Sequence, residues 1–446
     1  MKTIKLIFIS TILLSLSFIS CEKEETTIPA PPSPVQLFTP KDQAINITFP
    51  IEFSWEKASS TNNERISYRV YFSKNNQDWS YIASGKNSLT VTEENLDPGT
   101  LYYWKVETID AYKQSSVSET HSFTTAGKRY YKDGEVLQLQ HSTKGNGVNI
   151  VILGDGFIKE DLEVGGTYEN YARKAMEAFF LTEPYLSYRE YFNFYTVFAE
   201  SNERGADYEN NLTEVKDTKF NASYDNTNMS STYMKANNNR CWEYCKMAPN
   251  CNDIDRTLVV LMVNASRVAG YCHFWIQGRA IALCPVKPKT TAFNKQFENT
   301  VLHEAGGHGF AKLADEYLKY AKKSINANDA TTISDKKNLE TGLKGGMFAN
   351  VDTTNHPDRV KWKELYQKYP EKYKYVRSVE GAYYYGLDMF RPEPNSCMIN
   401  NIKYYNAPSR MAIVKRIKFL AGETFSLEDF VANDKLLNFP PQNEVE

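Results

Sequence analysis

Residues 301–317 hold the side chains in this chain that are best suited to chemistry. His303 and His308 supply imidazoles, Glu304 stands beside the first of them, and Asp315 and Glu316 follow the second. A catalytic zinc ion needs neutral nitrogen ligands and a base for its water molecule. A single histidine is more often a packed residue than a ligand, but this combination favours a zinc site.

The two histidines are five residues apart, whereas the common His-Glu-x-x-His motif places them four apart on one helical face. At about 100° per residue, a regular α-helix would put them roughly 140° from each other, so they could not share a metal ion. A π-bulge, with its i→i+5 hydrogen bond, would return them to one side. Gly306 and Gly307 would resist such a distortion least. We therefore predict a widened helix across residues 305–308, ending near His308.

Length and charge limit the class of protein. The 446 residues are enough for two or three domains. The 52 Lys and Arg residues nearly balance the 54 Asp and Glu residues. Because there is no basic surplus, we predict no nucleic-acid partner.

The N-terminus has the pattern of a signal peptide over residues 1–20. Lys2 and Lys5 precede the mainly apolar run of residues 6–19. The sequence LSFISC resembles a bacterial lipobox, with Cys21 as the lipidated residue, and the EKEE that follows resembles the export signal of surface lipoproteins in Bacteroidetes. We expect an extracytoplasmic protein that a lipid anchor at Cys21 holds on the outer-membrane surface. A plain signal peptide cut near Cys21 is the alternative.

Cysteine content adds a second expectation. An even number of cysteines remains after Cys21, and in an exported protein this predicts disulfides. Six thiols allow fifteen pairings, so no particular pairing is predicted. The alternative is a zinc ion ligated by Cys241, Cys245 and Cys251, but the irregular spacing of these cysteines disfavours it. The cysteines are Cys241, Cys245 and Cys251, followed by Cys272, Cys284 and Cys397.

The sequence of residues 21–127 predicts a linker followed by an all-β domain. Residues 21–34 are rich in proline and predict an extended linker. Residues 35–127 contain runs with the two-residue period of half-buried strands, such as Ile51–Trp55. Residues 96–106, LDPGTLYYWKV, resemble the turn and strand of a fibronectin type III domain, which implies a β-sandwich. We expect a spacer, with glycan or protein binding as the alternative.

Residues 128–446 predict an α/β domain. The apolar run 148–157 is bounded by glycines and is typical of a buried central strand. Further strands are predicted at 192–198, 256–264 and 273–283, and a helix at 159–180. The strand over 273–283 would border the cleft and could bind an extended peptide by strand addition.

Residues 303–317, together with the strand over 148–157, resemble the IgA peptidase family of zinc metallopeptidases. The resemblance covers roughly residue 130 to the C-terminus. That family is similar to the metzincins, which have an active-site helix, a ligand beyond a bend and a methionine turn under the metal. The resemblance implies His303 and His308 as zinc ligands and Glu304 as the group that polarises the water.

The resemblance also implies a third ligand and a methionine turn. We expect Asp315 to be the ligand because it lies beyond a glycine bend, as the third ligands of metzincins do. Glu316 and His356 are the alternatives, and the acidic pair could instead hydrogen-bond to the histidines. Met398 is the candidate for the methionine turn, with core filling as the alternative.

The predicted function is a cell-surface, zinc-dependent endopeptidase that hydrolyses extracellular proteins. Glu304 would take a proton from water and pass it to the leaving amine. Tyr404 or Tyr405 could stabilise the oxyanion. Two other functions fit the sequence: a non-catalytic lipoprotein that binds glycans or proteins, and a metal-dependent hydrolase of another bond, such as an amide of cell-wall peptide. No pattern specifies the natural substrate or an oligomeric state.

Overall fold

The computed structural model describes residues 30–59, 65–84, 88–292 and 295–437. The chain forms two compact units that divide between Lys128 and Arg129. The predicted signal peptide, Cys21 and most of the proline-rich linker lie outside the described residues. Within those ranges, no helix combines the length and the apolar character that a membrane crossing requires.

The first unit is a sandwich of two β-sheets, which confirms the predicted all-β domain. One sheet has the order β1-β3-β6, and the other has the order β2-β9-β7-β4-β5 with β8 paired to β7. Along β7, Tyr102, Trp104 and Val106 are buried in the core between the sheets because alternate side chains point inward. The strands are β1 (Leu37–Thr39), β2 (Ala44–Ile47), β3 (Ile51–Trp55), β4 (Ser67–Ser73), β5 (Ser80–Ala83), β6 (Thr90–Glu93), β7 (Leu101–Ile109), β8 (Ser115–Val117) and β9 (His121–Thr125).

The second unit mixes strands and helices, as predicted. Its strands are β10 (Val136–Gln140), β11 (Val148–Asp155), β12 (Phe192–Val197), β13 (Ser223–Tyr224), β14 (Met234–Lys235), β15 (Leu258–Val263), β16 (Tyr271–Phe274), β17 (Ala280–Pro285), β18 (Leu318–Ser324), β19 (Val379–Ala382) and β20 (Tyr384–Arg391). Its helices are α1 (Thr167–Phe179), α2 (Asn238–Cys245), α3 (Phe297–Thr300), a π-helix (Val301–Phe310), α4 (Ala330–Lys344), α5 (Lys363–Lys368), α6 (Cys397–Asn400), α7 (Ala407–Ala421) and α8 (Leu427–Asn433). Short 3₁₀ helices span Lys159–Leu162, Arg189–Tyr191 and Ile254–Arg256.

The main sheet of this unit has the order β10-β12-β11-β15-β17-β16. Its four central strands are parallel, and the two outer strands, β10 and β16, are antiparallel to their neighbours. Ile150 and Ile152 of β11 face the core that includes α1 and the π-helix, while Val151 and Leu153 face the core that includes α2. Both faces are covered, which explains the continuous apolar run in the sequence.

Two predicted elements are interrupted by glycines. The prediction of a single strand over 273–283 is wrong. This segment belongs to a hairpin in which Gly278, with φ +119°, lies in the turn between β16 and β17. The helix predicted over 159–180 is also two pieces, a 3₁₀ helix and α1. Gly165, with φ +73°, separates them because it adopts a backbone conformation that an α-helix excludes.

The predicted disulfides are contradicted, since the cysteines of the second unit are free thiols. The main sheet separates them into two groups. Cys241, Cys245 and Cys251 are buried in the core on the α2 side, whereas Cys272, Cys284 and Cys397 are buried in the core on the π-helix side. Burial raises the pKa of Cys251 to about 12. These residues therefore pack as small apolar side chains.

Candidate active site

The histidines lie on a helix that is widened over its whole length. Helix α3 continues directly into the π-helix, and the amide of Ala311 donates to the Gly306 carbonyl at 3.3 Å, five residues back. The ring centroids of His303 and His308 are consequently 4.8 Å apart. The predicted widening is confirmed. It extends beyond residues 305–308, and the helix ends at Phe310 rather than near His308.

Three buried side chains meet beside this helix. The Nε2 atoms of His303 and His308 lie 3.1 and 3.2 Å from the same atom, Oδ1 of Asp315. The candidate ligand atoms of the three residues all lie within 4.8 Å of one another. Among the described residues, this is the group that could hold a metal ion, and His356, an alternative ligand in the sequence analysis, lies outside it.

Backbone carbonyls fix the orientation of both imidazoles. Nδ1 of His303 is 3.0 Å from the Cys397 carbonyl oxygen, and Nδ1 of His308 is 2.7 Å from the Leu313 carbonyl oxygen. A carbonyl only accepts hydrogen bonds, so each Nδ1 carries a proton, and a neutral ring then has its lone pair on Nε2. Two imidazole nitrogens and a carboxylate oxygen form a donor set that fits zinc.

Asp315 carries the negative charge of the group. Burial alone would raise the pKa of the Asp315 carboxyl, but His308 and His303 hold it well below its usual range. Burial also opposes the charged form of His303, yet its hydrogen bond to Asp315 raises the pKa of the imidazole. The second oxygen of Asp315, Oδ2, accepts a 2.5 Å hydrogen bond from the Tyr384 hydroxyl. The carboxylate thus keeps Oδ1 directed at the histidines.

Glu304 lies in the same cleft but outside the ligand group. Burial raises the pKa of its carboxyl, while the imidazoles of His303 and His308 lower it. A Cβ atom at Gly270 would lie 2.7 Å from Oε1 of Glu304. Gly270 therefore leaves the space that the carboxyl group occupies beside the first residue of β16.

Glu316, the alternative ligand, is bonded elsewhere. Its carboxylate accepts hydrogen bonds from Nδ2 of Asn350 at 2.6 Å, Nδ2 of Asn406 at 2.7 Å and Oγ of Ser396 at 2.8 Å. Its amide donates to the carbonyl of Met398 at 2.9 Å. Glu316 is fully buried and joins the segment that carries Asp315 to the segment that carries Met398.

Met398 lies directly against the π-helix at the paired glycines. A Cβ atom at Gly307 would overlap the Met398 sulfur, and one at Gly306 would lie 2.5 Å from the Tyr405 hydroxyl oxygen. That hydroxyl donates to the Leu302 carbonyl at 2.5 Å. The glycines are therefore required by close packing as well as by the shape of the helix.

The tyrosine that lines the cleft is not one of those predicted to stabilise the oxyanion. Tyr404 does not line the cleft: its hydroxyl donates to Oε2 of Glu393 at 2.7 Å, so its position does not support the oxyanion role. Tyr405 is buried under the helix. Sequence reasoning missed Tyr384, which lines the cleft and bonds Asp315. Its only signal was its place in a run of three tyrosines.

Two cavities share Glu304 and Tyr317 in their walls. A cavity of about 590 Å³ is also lined by Phe274 and Tyr384. A cavity of about 250 Å³ is also lined by Lys295 and by residues that follow Met398. The strand β16 is the last strand of the main sheet and contributes to the wall. The sequence placed a strand at this border, and the hairpin supplies it.

The fold and the site define an α/β domain with a candidate metal centre in an open cleft. The chain belongs to the family described as IgA Peptidase M64, whose sequence model matches residues 137–377, more than half of the 446 residues. The match includes His303, Glu304, His308 and Asp315 and ends before Met398. Membership makes the chain a peptidase.

Other comparisons concern a smaller part of the chain. The model of a Rha78A-like, N-terminal immunoglobulin domain matches residues 41–128. No curated protein matches. A solved beta-1,2-glucanase from Parabacteroides distasonis has 20% identity and a TM-score of 0.18, and the match covers 24% of this chain and 14% of that chain. A fibronectin type III domain of human fibronectin type III domain containing protein 3 has 22% identity and a TM-score of 0.18, covering 24% of this chain and 93% of that domain.

Proposed function

We propose that this peptidase is a zinc-dependent endopeptidase, with His303, His308 and Asp315 as ligands and Glu304 as the general base. The observation that carries the proposal is the convergence of Nε2, Nε2 and Oδ1 within 4.8 Å, next to a buried carboxyl group. A zinc ion held by these residues would supply Lewis acidity, which lowers the pKa of a water molecule and polarises a carbonyl group.

The protein's own contribution begins with orientation. The Cys397 and Leu313 carbonyls keep both imidazoles in the tautomer whose Nε2 lone pair faces the ligand position. Tyr384 holds Oδ2 of Asp315 and leaves Oδ1 for the ligand position. A ligand set that is oriented in advance loses little conformational freedom on binding the metal.

Glu304 is placed to move the proton. Its carboxylate would accept a proton from the attacking water and then donate it to the nitrogen of the leaving amine. Burial, which raises the pKa of this carboxyl, favours the protonated form that the second step needs. Gly270 keeps the carboxyl group free to face the cleft.

Substrate binding would use the edge strand. On the side away from β17, β16 has no partner strand among the described residues, and it borders the cleft. An extended peptide could add to β16 through backbone hydrogen bonds. Because two cavities open beside Glu304, the cleft has room for more of a chain than one terminal residue, which supports an endopeptidase.

The test compares wild type with Glu304→Gln, and Glu340→Gln on the exposed face of α4 serves as the matched control. We expect equal zinc content in all three proteins, and a loss in kcat of about 10²- to 10⁴-fold on an unfolded protein substrate for Glu304→Gln alone. Equal activity of Glu304→Gln and wild type would contradict the role of Glu304. Activity of a wild-type protein that contains no zinc would contradict the requirement for the metal.

The location on the cell surface is also a proposal, and it rests on the sequence around Cys21. Cys21→Ser is expected to abolish incorporation of labelled palmitate and to release the protein from the membrane fraction. Labelling that persists in Cys21→Ser would contradict the anchor and leave the proposed chemistry untouched.

A further inference from the structure

A second pocket lies behind the cleft, in the same unit. Its volume is about 370 Å³, and it is formed by the turn between β16 and β17, the end of the π-helix, the residues that follow α4 and one face of α7. Much of its wall is apolar. The apolar side chains are Ile276, Phe310, Met347, Met411 and Phe419.

The charged side chains that line this pocket are all cations: Lys312, Lys415 and Arg416. None of its lining residues is acidic. Lys312 is only 8% exposed, and its Nζ donates to the carbonyls of Gly309 at 2.7 Å and Arg279 at 3.2 Å. No ion pair of the described residues includes it. Buried lysines are nearly always paired with an acid, and Lys312 lacks such a partner.

Arg416 adds to this positive charge. Its Nη2 donates to the backbone carbonyls of Gly278 at 3.1 Å and Asp255 at 3.3 Å, and its buried Nε has no hydrogen-bond partner. The carboxylate of Asp255 is held by Arg279 at 2.6 Å. Burial lowers the pKa of Lys312 to about 7, and the charge of Arg416 contributes to the lowering. The unpaired Nε of Arg416 and the lowered pKa of Lys312 both fit a pocket in which no acidic side chain faces these two cations.

We propose that this pocket binds an aliphatic carboxylate, such as a medium-chain fatty acid. The carboxylate would lie against Lys312 and Arg416, and the tail would cover Phe310, Met411 and Phe419. The side-chain polar groups of the pocket only donate hydrogen bonds, which suits a ligand that only accepts them. A peptide would bring N–H groups that these side chains cannot satisfy. A pocket of this volume is within the range of small-molecule sites.

The proposed ligand site contains neither Glu304 nor the candidate metal ligands. Met347 is the residue that lines both this pocket and the cleft. Because Glu304 lies outside the pocket, the full chain carrying Glu304→Gln can be used for binding measurements without turnover.

The test is calorimetric titration of that protein with decanoate, decanol, inorganic phosphate and an acetylated peptide that ends in a leucine carboxylate. We expect one decanoate site, at least about tenfold tighter than for the other three probes, since decanol lacks the charge-assisted contact, phosphate lacks the tail and the peptide brings N–H groups without acceptors. Arg416→Met is expected to weaken decanoate binding at least about tenfold. Lys337→Met, on the exposed face of α4, is the matched control and should leave it unchanged.

Three results would overturn the proposal: decanol binding as tightly as decanoate, the peptide binding more tightly than decanoate, or equal decanoate binding by Arg416→Met and Lys337→Met. Phe419→Ser keeps the test decisive if Arg416→Met does not fold. Phe419 is 61% exposed at the rim, so its replacement spares the core. Phe419→Ser should weaken the binding of decanoate and leave the binding of phosphate unaffected. Unchanged decanoate binding would contradict the assigned position of the tail.

Discussion

At the residue scale, each candidate ligand is held through the atom that would not touch the metal. The Nδ1 atoms of His303 and His308 donate to carbonyls, and Oδ2 of Asp315 accepts from Tyr384. These partners select one tautomer and one carboxylate orientation. Removing one of them should therefore affect metal binding before it affects folding.

Tyr384→Phe tests this directly. Loss of the hydroxyl removes the 2.5 Å hydrogen bond to Oδ2 of Asp315, and we expect zinc affinity to fall by about 10- to 100-fold, measured by competition with a chelator. Tyr385→Phe is the matched control because its hydroxyl donates to Asp335 at 2.8 Å, away from the ligands. Equal zinc retention by the two variants would argue against a role for Tyr384.

The sequence could indicate those site residues that lie close to one another along the chain. His303, Glu304 and His308 stand within six positions, and Asp315 follows shortly after, so spacing and residue type were informative. Tyr384 reaches Asp315 across 69 positions, and no local pattern encodes that contact. Tyr404 lies close to Met398 along the chain, but nearness in sequence does not say which hydroxyl faces the cleft, and that of Tyr404 bonds Glu393 instead.

At the element scale, the π-helix and the segment of Met398 fit each other. Five-residue spacing needs the widened turn, and the same turn brings Gly307 against the Met398 sulfur. The sequence indicated the widening because histidine spacing is a local property. The family resemblance, and no local pattern, indicated Met398 as the methionine under the metal, and its contact with Gly307 is a tertiary one. The hairpin of β16 and β17 was missed because both strands are apolar and one glycine marks the turn.

Gly307→Ala tests that fit. The added methyl group would overlap Met398, and overpacking of this kind costs about 1–3 kcal/mol of unfolding free energy, measured by urea denaturation. Met398→Ala should relieve the overlap, so the double variant should lose less stability than the sum of the two single variants. Strict additivity would show that Gly307 and Met398 do not interact.

At the scale of the whole molecule, buried polar groups tie the C-terminal helices of the second unit to the site. Arg410 forms a buried ion pair with Asp434 at 2.6 Å and donates to the Tyr405 carbonyl at 2.6 Å. Glu393 accepts from Tyr404 at 2.7 Å and from the amide of Ala407 at 2.8 Å. The loop between Met398 and α7 is therefore fixed on two sides.

Glu393 gives this region a predictable pH dependence. Burial raises the pKa of its carboxyl from 4.5 to about 7, so the folded protein binds more protons than the unfolded chain between those values. Its ionisation therefore destabilises the fold as pH rises through that window, by roughly 3 kcal/mol in all. In Glu393→Gln this loss should be absent when unfolding by urea is measured from pH 4.5 to 8. Parallel pH profiles of wild type and variant would contradict the assignment.

The pattern of apolar residues was a better guide to the two domains than the cysteine count was to disulfides. The alternating runs of the first unit and the continuous apolar runs of the second predicted a β-sandwich and an α/β domain. An even cysteine count predicted disulfides, yet the cysteines divide into groups of three on opposite faces of one sheet. Which face a residue occupies depends on strand order, which a count of residues does not contain.

The most direct test of the central claim is anomalous diffraction at the zinc edge from crystals grown with zinc. We expect one strong peak at about 2.0–2.2 Å from Nε2 of His303, Nε2 of His308 and a carboxylate oxygen of Asp315, with Glu304 outside the ligand set. A peak bound instead by Glu316 or His356, or no peak beside the π-helix, would contradict the account.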